Sequence, residues 1–174
     1  MTPQLSGQPS QQPDAGDFRR AVGRFATGVC AVTSLLDGRD HAMTANAFAS
    51  VSLEPLLVVV SVAEDTRFLE AVLGSGVWGV SVLPATARDV ADWLASSGRP
   101  LVGQLDRVPH HRGPWTGVAL VDGALATLEC RTTAVHPAGD HQLVVGEVVG
   151  VDVAAVPSDP LLYHQGRYRV LRER

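Results

Sequence analysis

The chain has 174 residues, of which 45% are hydrophobic and 18% charged, a composition ordinary for one globular domain with its own core. Its formal net charge of −4, without a cluster of lysine or arginine, gives no electrostatic footprint for nucleic acid or an anionic membrane. No apolar run reaches the roughly 20 residues that a membrane-spanning helix needs.

Residues 1–16 are rich in Gln, Pro, Ser and Gly and lack the basic and apolar stretches of a secretion signal. Because such a composition cannot build a core, we expect a disordered tail there and a single domain over residues 17–174. Cys30 and Cys130 lie far apart inside apolar runs, with no spacing typical of a zinc site or a disulfide framework. We expect both to be reduced, buried residues of a cytoplasmic protein.

The first predicted elements are a helix and a β-hairpin. Asp17 is the expected N-cap of the helix. Apolar residues at helical spacing follow it: Phe18, Val22 and Phe25. A strand is then predicted from Val29 to Leu35, and Asp37-Gly38 is a typical turn before a second strand.

The stretch from His41 to Ala63 combines two segments of opposite character. Residues 43–52 are small, hydroxylated and nearly uncharged, whereas Leu56–Val62 is a continuous apolar run that predicts a strand buried on both faces. Small side chains beside a buried strand let backbone N–H groups approach a flat or phosphorylated ligand. A well-packed pair of strands explains the same pattern without a ligand, and the residues alone leave both interpretations open.

A short helix is predicted after this strand, with Asp65 or Thr66 as its N-cap and the glycines at 74 and 76 at its end. Its buried residues are predicted to be Phe68, Leu69, Val72 and Leu73. Residues 74–79 match the pattern GxGxxG, but here a helix precedes the glycines and a strand follows them. A dinucleotide fingerprint needs the opposite order, so we exclude a Rossmann site.

The second half of the chain predicts one further helix, opened by Pro84, and then mainly strands. Residues 96–123 are loop-rich, which indicates a lid over a site or a partner contact. Apolar and polar residues alternate over residues 123–134, which predicts a half-buried strand with Glu129 on its polar face. The last predicted strands are Leu143–Val153 and Leu161–Leu171. Short strands with few helices favour an antiparallel barrel with helices at its ends.

The simplest catalytic motifs do not occur in the sequence. None of the six histidines forms HExxH or a Cys/His cluster, so we expect no metal site. Neither the GxSxG elbow of hydrolases nor the GxxxxGK[ST] loop of nucleoside triphosphate-binding proteins is present. His141 follows the turn Gly139-Asp140 and precedes a strand, which fits a solvated turn residue as well as a group on the rim of a barrel.

Four motifs stand in a recognisable order between Phe18 and Leu171. They are Thr44-Ala45-Asn46-Ala47-Phe48 with Ser50–Pro55, Leu120–Cys130, Gly139-Asp140-His141 with Gly146-Glu147-Val148, and Pro160–Tyr168. Together they resemble the signature of the flavin reductase family, the FMN-binding split-barrel type that serves two-component monooxygenases.

The resemblance implies a mainly β fold with short helices, an FMN-binding split β-barrel of Greek-key antiparallel strands. It also implies an NAD(P)H:flavin oxidoreductase that reduces FMN or FAD by hydride transfer, with NADH or NADPH as co-substrate. The free reduced flavin would pass to a partner monooxygenase, and the enzyme would be a cytoplasmic homodimer. A barrel that keeps its FMN and reduces another acceptor, or a non-catalytic flavin-binding protein, stays open as an alternative.

Site residues are implied by the same resemblance. Those expected around the flavin are Thr44, Ala45, Asn46, Ala47, Ser50, Ser52, Ser61, Val62, Thr66 and Arg67. His141 is the expected catalytic residue, and it would lie on the nicotinamide side together with Asp140 and Tyr168. No metal is implied.

Three departures from the family pattern bear on this site. Ala47 replaces a hydroxylated residue. Glu64 and Asp65 stand where relatives carry Ser or Thr near the flavin phosphate, so Glu64 should point away and leave Thr66 and Arg67 to attract it. The stretch from Arg99 to Trp115 lacks a Lys-Phe pair, so a substrate contact there is expected to differ.

Overall fold

The computed structural model describes residues 14–171. Most of the tail predicted over residues 1–16 therefore lies outside the described residues, while Ala15 and Gly16 begin a helix. The helices of the described part are α1 (Ala15–Val22), α2 (Arg67–Ser75) and α3 (Arg88–Ala95), the last preceded by a 3-10 turn at Ala85–Ala87. Among residues 14–171, no helix has the length and apolar character needed to cross a membrane.

Strands make up most of the remaining regular structure. In chain order they are β1 (Thr27–Gly28), β2 (Cys30–Leu36), β3 (Arg39–Ala45), β4 (Phe48–Leu53), β5 (Leu56–Ala63), β6 (Val77–Val82), β7 (His110–Arg112), β8 (Ala119–Val121), β9 (Ala126–Ala138), β10 (His141–Val153), β11 (Leu162–His164) and β12 (Arg167–Arg169). Every strand pairing among the described residues is antiparallel. The prediction of a mainly β, antiparallel fold with short helices is confirmed.

Seven strands form the main sheet, in the order β3-β2-β6-β9-β10-β5-β4. The long hairpin β9–β10 lies inside it, with β6 on one side and β5 on the other. Strands β1, β11 and β12 form a second sheet, and β7 and β8 a third. β10 pairs with β5 over Leu57–Ala63, so two strands far apart in the sequence lie side by side in the sheet.

Two buried clusters stabilise this arrangement. The first, between the main sheet and α2, includes Phe68 and the fully buried Trp78, and the second, beneath α3, includes Leu94 and Leu161. Trp78 lies directly against Gly146, where a Cβ atom would come within 2.7 Å of the indole Cζ2. The close approach of the ring to β10 therefore requires glycine at position 146.

Several local signals in the sequence are confirmed. Asp37 and Gly38 have φ angles of 51° and 72°, the left-handed pair that a two-residue hairpin turn between β2 and β3 requires. Thr66, rather than Asp65, caps α2 through its hydroxyl, which accepts a hydrogen bond from the backbone of Leu69. Gly76 ends α2 in the left-handed conformation, with φ of 69°.

The predictions for the helices are wrong in two details. The N-cap of α1 is Asp14, whose carboxylate accepts a hydrogen bond from the Asp17 N–H at 2.7 Å, so the helix begins upstream of the expected position. No residue of α1 is buried, and Phe18 is 64% exposed. In α2, Leu73 is 53% exposed and Ala71 is buried instead, because the helix rests on the sheet along a narrower stripe than expected.

The predictions for the strands need three corrections. β5 alternates between buried and half-buried residues instead of being buried on both faces, since only one face packs into the core. Glu129, expected on a solvated face of β9, is 3% exposed because residues 113–117 cover it. The single final strand expected over residues 161–171 is a hairpin, β11–β12, which reverses at Gln165-Gly166, both with positive φ.

Residues 96–123, predicted to be a loop-rich lid or a partner contact, contain two strands. Their strands β7 and β8 form a small sheet whose second strand contacts β2 and β6. Residues 118–121 of this segment are buried. The segment therefore covers one side of the main sheet.

Candidate functional site

A cavity of about 970 Å³ lies between the end of α1, the chain just after it, and strands β4, β5 and β10. Its size falls within the range of small-molecule and cofactor sites. Most of the lining residues are apolar or small, with Asn46, Thr27 and Ser61 among the polar ones and Arg19 the charged one. Such a lining suits a large, mostly apolar ring system with a few polar atoms at its edge.

One wall of the cavity is built by strand register. Leu143 on β10 pairs with Ser61 on β5, and the Ser61 N–H donates to the Ala47 carbonyl at 2.9 Å. Because side chains alternate along a strand, Val59 and Ala49, which pair with each other, share this face. Alanine and serine side chains are short, so the wall is flat and backbone groups lie close to the cavity.

The edge of this wall carries a polar contact between two chain segments. The Asn46 side-chain amide donates to the Thr27 hydroxyl at 3.3 Å, which joins the turn between β3 and β4 to β1. Both residues line the cavity, as does Tyr163 on β11. Segments remote in sequence therefore meet at this edge.

His141 stands at the end of the same wall. It pairs with Ala63 on β5. Because it lies two positions before Leu143 on the same strand, the two side chains are on the same face of the sheet. Its Nδ1 lies 2.6 Å from the Asp140 carboxylate, and its side chain is 42% exposed. The hydrogen bond from His141 and the nearby imidazole charge lower the pKa of Asp140, to which Arg19 adds a smaller effect in the same direction. Asp140 thus orients the imidazole ring through a direct contact.

The loop after β5 lies against the Asp140–His141 turn. The Glu64 N–H donates to the Asp140 carbonyl at 3.1 Å, and the Glu64 carboxylate accepts from the Gln142 side chain at 2.6 Å. The Thr66 hydroxyl donates to the Ala63 carbonyl at 2.9 Å while it caps α2. Strand pairing therefore brings the segment from Ser61 to Thr66 beside His141.

Arg67 contributes to a second, basic cluster outside the cavity lining. Its guanidinium donates to the Arg99 carbonyl at 2.8 Å, and Arg99 in turn donates to carbonyls at the end of α3 and to the Ala42 carbonyl at 2.8 Å. Burial, together with the charge of Arg67, lowers the pKa values of His41 and Arg99. The His41 Nδ1 and Arg99 Nε atoms are buried without a hydrogen-bond partner among the described residues.

Three of the predicted flavin-site residues line the cavity: Asn46, Ala47 and Ser61. The others lie in different surroundings. Ala45 and Val62 are buried in the first core cluster, and the Thr44 hydroxyl donates to the Ala91 carbonyl of α3 at 2.7 Å. Ser50 is exposed on β4, and the Ser52 hydroxyl accepts from the Glu54 N–H at 3.2 Å.

Tyr168, predicted on the nicotinamide side, borders a different cavity of about 460 Å³ together with Arg88. Its ring packs edge-to-face against Tyr163, with ring centroids 5.7 Å apart. Because Tyr163 lines the larger cavity, this aromatic pair stands between the two spaces.

Sequence reasoning missed the residues that the end of α1 and the hairpin β11–β12 contribute to the cavity. These are Arg19, Val22, Gly23, Phe25, Tyr163 and Gly166. Two features of the sequence indicated these residues. Phe18 and Val22 form an apolar stripe on a short helix, and Gly166 stands two residues before Tyr168. Neither signal identifies which strand the helix approaches.

Comparison with known proteins extends over almost the whole described chain. Residues 22–172 match the family described as flavin reductase like domain. The NADH-dependent FMN reductase AsuE2 of Streptomyces nodosus subsp. asukaensis is 36% identical over 163 residues, which cover 93% of this chain and 88% of that protein. The reductase component of 4-hydroxyphenylacetate 3-monooxygenase from Thermus thermophilus is 39% identical over 158 residues, which cover 88% of this chain and 95% of that protein.

Solved structures give the same picture. The crystal structure of BorF, the flavin reductase component of a bacterial two-component tryptophan halogenase, aligns with a TM-score of 0.86 at 41% sequence identity. The alignment covers 92% of this chain and 100% of BorF.

Proposed function

The chain belongs to the flavin reductase-like family, and from this membership we propose that it is an NAD(P)H-dependent flavin reductase. It transfers a hydride from NADH or NADPH to FMN or FAD and supplies the free reduced flavin to a partner monooxygenase. Support comes from the names of its relatives, one an NADH-dependent FMN reductase and another a monooxygenase component.

The observation that carries the proposal is the flat wall of the cavity of about 970 Å³. Ala47, Ala49, Val59 and Leu143 offer an apolar surface for one face of an isoalloxazine ring, with Asn46 and Ser61 at its polar edge. The first four of these residues fit a flavin because they leave the space in front of them open and because their side chains are apolar, as the face of a planar ring requires. The loss of a hydroxyl at Ala47 does not remove this surface.

A bound flavin supplies the ring that accepts the hydride. The work of the protein is to hold the nicotinamide and flavin rings together and to exclude water. Such orientation contributes up to roughly 7–11 kcal/mol to a reaction between two bound groups, so no strong acid–base pair is needed. Val59 and Leu143 would exclude water from the covered ring face.

We assign His141 to the nicotinamide side, where it positions the reduced nucleotide over the flavin. Support comes from its place at the end of the cavity wall and from its contact with Asp140 at 2.6 Å, which fixes the ring. Thr66 and Arg67 stay our proposed contacts for the flavin phosphate, since α2 begins there and its N–H groups favour an anion. Tyr168 stays a proposed nicotinamide contact that acts beside Tyr163.

The proposal includes a homodimer and a cytoplasmic location. Phe18 and Val22 are both exposed and lie one turn apart on α1, and an apolar stripe of this kind supports self-association because it favours contact with another subunit. Cys30 and Cys130 are both buried free thiols, which suits a reducing compartment. Light scattering during gel filtration would measure the mass of the assembly.

The decisive experiment is NADH and NADPH oxidation with FMN, FAD and riboflavin in turn. We expect turnover with at least one pair, and no turnover with any pair would contradict the proposal. If the protein is active, desalting of a flavin-loaded sample distinguishes two functions. Loss of flavin fits a reductase that releases its product, whereas retention of flavin favours a barrel that reduces another acceptor. Flavin binding without NAD(P)H oxidation would indicate a non-catalytic flavin-binding protein.

A further inference from the structure

The mostly apolar lining of the cavity offers few partners for a charged group of a ligand. FMN, FAD and the nicotinamide dinucleotides carry phosphate groups, and a phosphate is too costly to bury among apolar side chains without a partner of opposite charge. Arg19 is the charged residue among those that line the cavity. It belongs to α1, which no family motif identified in the sequence includes.

Arg19 differs from the two other arginines at this end of α1. Arg20 forms an ion pair with Asp17. Arg24 donates to the side-chain oxygen of Gln165 at 3.2 Å and 3.0 Å, in the amide orientation that satisfies both groups. Within residues 14–171, the guanidinium of Arg19 makes neither a hydrogen bond nor an ion pair. Its five donors are therefore available to a ligand.

The position of Arg19 suits a phosphate that is attached to a ring in the cavity. A basic depression of about 340 Å³ shares Arg19, Gly23 and Gly166 with the cavity, so the two spaces adjoin each other. Arg19 lines both of them, so a phosphate joined to a ring in the cavity can reach its guanidinium.

We infer that Arg19 binds a phosphate group of the ligand whose ring occupies the cavity. The inference rests on the proposed function for its choice of ligands, and two of them carry this chemistry: the pyrophosphate of the nicotinamide dinucleotide and the phosphate of the flavin. A planar guanidinium binds either through paired, charge-assisted hydrogen bonds. Arg67, the contact proposed above for the flavin phosphate, gives one hydrogen bond to the Arg99 carbonyl and keeps its other donors. If the flavin phosphate lies at Arg67, Arg67→Gln should weaken FMN relative to riboflavin, and the phosphate at Arg19 is then the pyrophosphate of the dinucleotide.

The test compares ligands with and without phosphate. Binding of FMN and riboflavin is measured by flavin fluorescence, and binding of NAD⁺ and nicotinamide riboside by calorimetry, with wild type, Arg19→Gln, Arg19→Lys and Arg67→Gln. We expect Arg19→Gln to weaken the phosphorylated member of one pair about tenfold, the size of a lost charge-assisted hydrogen bond, and to leave its phosphate-free partner within about twofold. The affected pair identifies the source of the phosphate. Arg19→Lys should keep part of the preference, because it keeps the charge.

Two features make the result decisive. Arg131→Gln removes the same charge from an exposed residue of β9 that does not line the cavity and should change neither pair. Equal weakening of both members of each pair, or no change in either, would overturn the role of Arg19. Because binding is measured without turnover, an altered phosphate preference in a protein that fails to oxidise NAD(P)H would refute the proposed function and keep this inference.

Discussion

Two parts of the main sheet differ in what lies against them. Residues 104–121 pack against the part formed by β2, β6 and β9, which we call the covered side. A cavity of about 970 Å³ lies against the part formed by β4, β5 and β10, which we call the open side. On the covered side, hydrogen bonds of buried polar groups hold residues 104–121 against the strands. The Val121 N–H donates to the Ser81 hydroxyl at 2.9 Å, and the Gln104 side chain accepts from the Ala42 N–H at 3.0 Å. The Glu129 carboxylate accepts from the Thr116 N–H and hydroxyl at 2.7 Å and 2.6 Å.

The open side has a different composition. Its wall consists of Ala47, Ala49, Val59, Ser61 and Leu143, which cannot fill the space in front of them. The comparison teaches that the cavity results from small side chains at particular register positions, while the covered side stays closed because Ser81, Gln104 and Glu129 form hydrogen bonds that tie the covering segment to the sheet. The two sides should therefore respond differently to substitution.

The largest effect is expected from Glu129→Ala on the covered side. The substitution removes a buried carboxylate and leaves the partly buried N–H and O–H donors of residues 115 and 116 without an acceptor, which should lower the free energy of unfolding by about 2 kcal/mol. Urea denaturation measures this change. Glu147→Ala, which removes an exposed carboxylate from the neighbouring strand, is the control and should cost less than about 0.5 kcal/mol. Equal losses would mean that Glu129 does not anchor the covering segment.

The next effect concerns the open side. Ala49→Leu places a branched side chain on the flat wall, and we expect the dissociation constant for flavin to rise about tenfold or more, as for loss of a well-packed contact. Because Ala49 is exposed, the melting temperature should hardly change. Fluorescence titration gives the affinity, with Ala49→Ser as a size-matched control. Unchanged affinity would place the flavin elsewhere.

A smaller effect is expected from His141→Ala, at the end of the open side. If His141 positions the reduced nucleotide, KM for NAD(P)H should rise about fivefold, equivalent to one hydrogen bond, while flavin affinity stays constant. A parallel fall in kcat would show that the histidine also aligns the transition state. His111→Ala is the matched control, because this exposed histidine of β7 also contacts an aspartate, Asp122, but does not line the cavity. Wild-type kinetics in His141→Ala would remove the residue from the site.

The smallest effect is a pH dependence that both sides share. Burial raises the pKa of Cys30, on the cavity wall, and of Cys130, in the packed core, from 9.0 to about 12. Since the unfolded thiols ionise first, stability is complete well below pH 9 and declines as the pH rises toward 12. From pH 8 to pH 9 the two thiols should together lower the free energy of unfolding by about 0.7 kcal/mol. Burial also raises the pKa of Tyr168, which adds to the decline at higher pH.

Single Cys30→Ala and Cys130→Ala variants divide this pH effect between the two sides. Each should remove about half of it. If only Cys130→Ala changed the slope, Cys30 would titrate as in water, and the cavity wall would be far wetter than the structure indicates.

The sequence predicted much of the fold because its signals are local. The turn at Asp37-Gly38, the cap at Thr66 and the hairpin at Gly139-Asp140 each depend on neighbouring residues, and each is confirmed. The split-barrel flavin reductase fold, predicted from four short motifs, is confirmed by structural relatives over most of the chain.

What the sequence did not predict depends on contacts between distant segments. Alternation along β9 places Glu129 on a polar face, and only the docking of residues 113–117 shows that this face is buried. Likewise Arg19 and Tyr163 reach the cavity through the packing of α1 and β11, for which no periodic pattern exists. Part of the predicted site lies at the cavity, and its residues in the core or on other surfaces remain predictions.

The pairing of β10 with β5 also has a consequence for how the protein is made. Ser61 pairs with Leu143, so the wall of the cavity joins segments separated by about half of the chain. During synthesis, β4 and β5 leave the ribosome long before their partner strand exists, and their hydrogen-bonding edge stays unpaired. Non-local pairings of this kind slow folding because loop closure precedes any contact. The cavity, whose lining includes Tyr163 and Gly166 as well, should therefore be among the last features of the nascent chain to form.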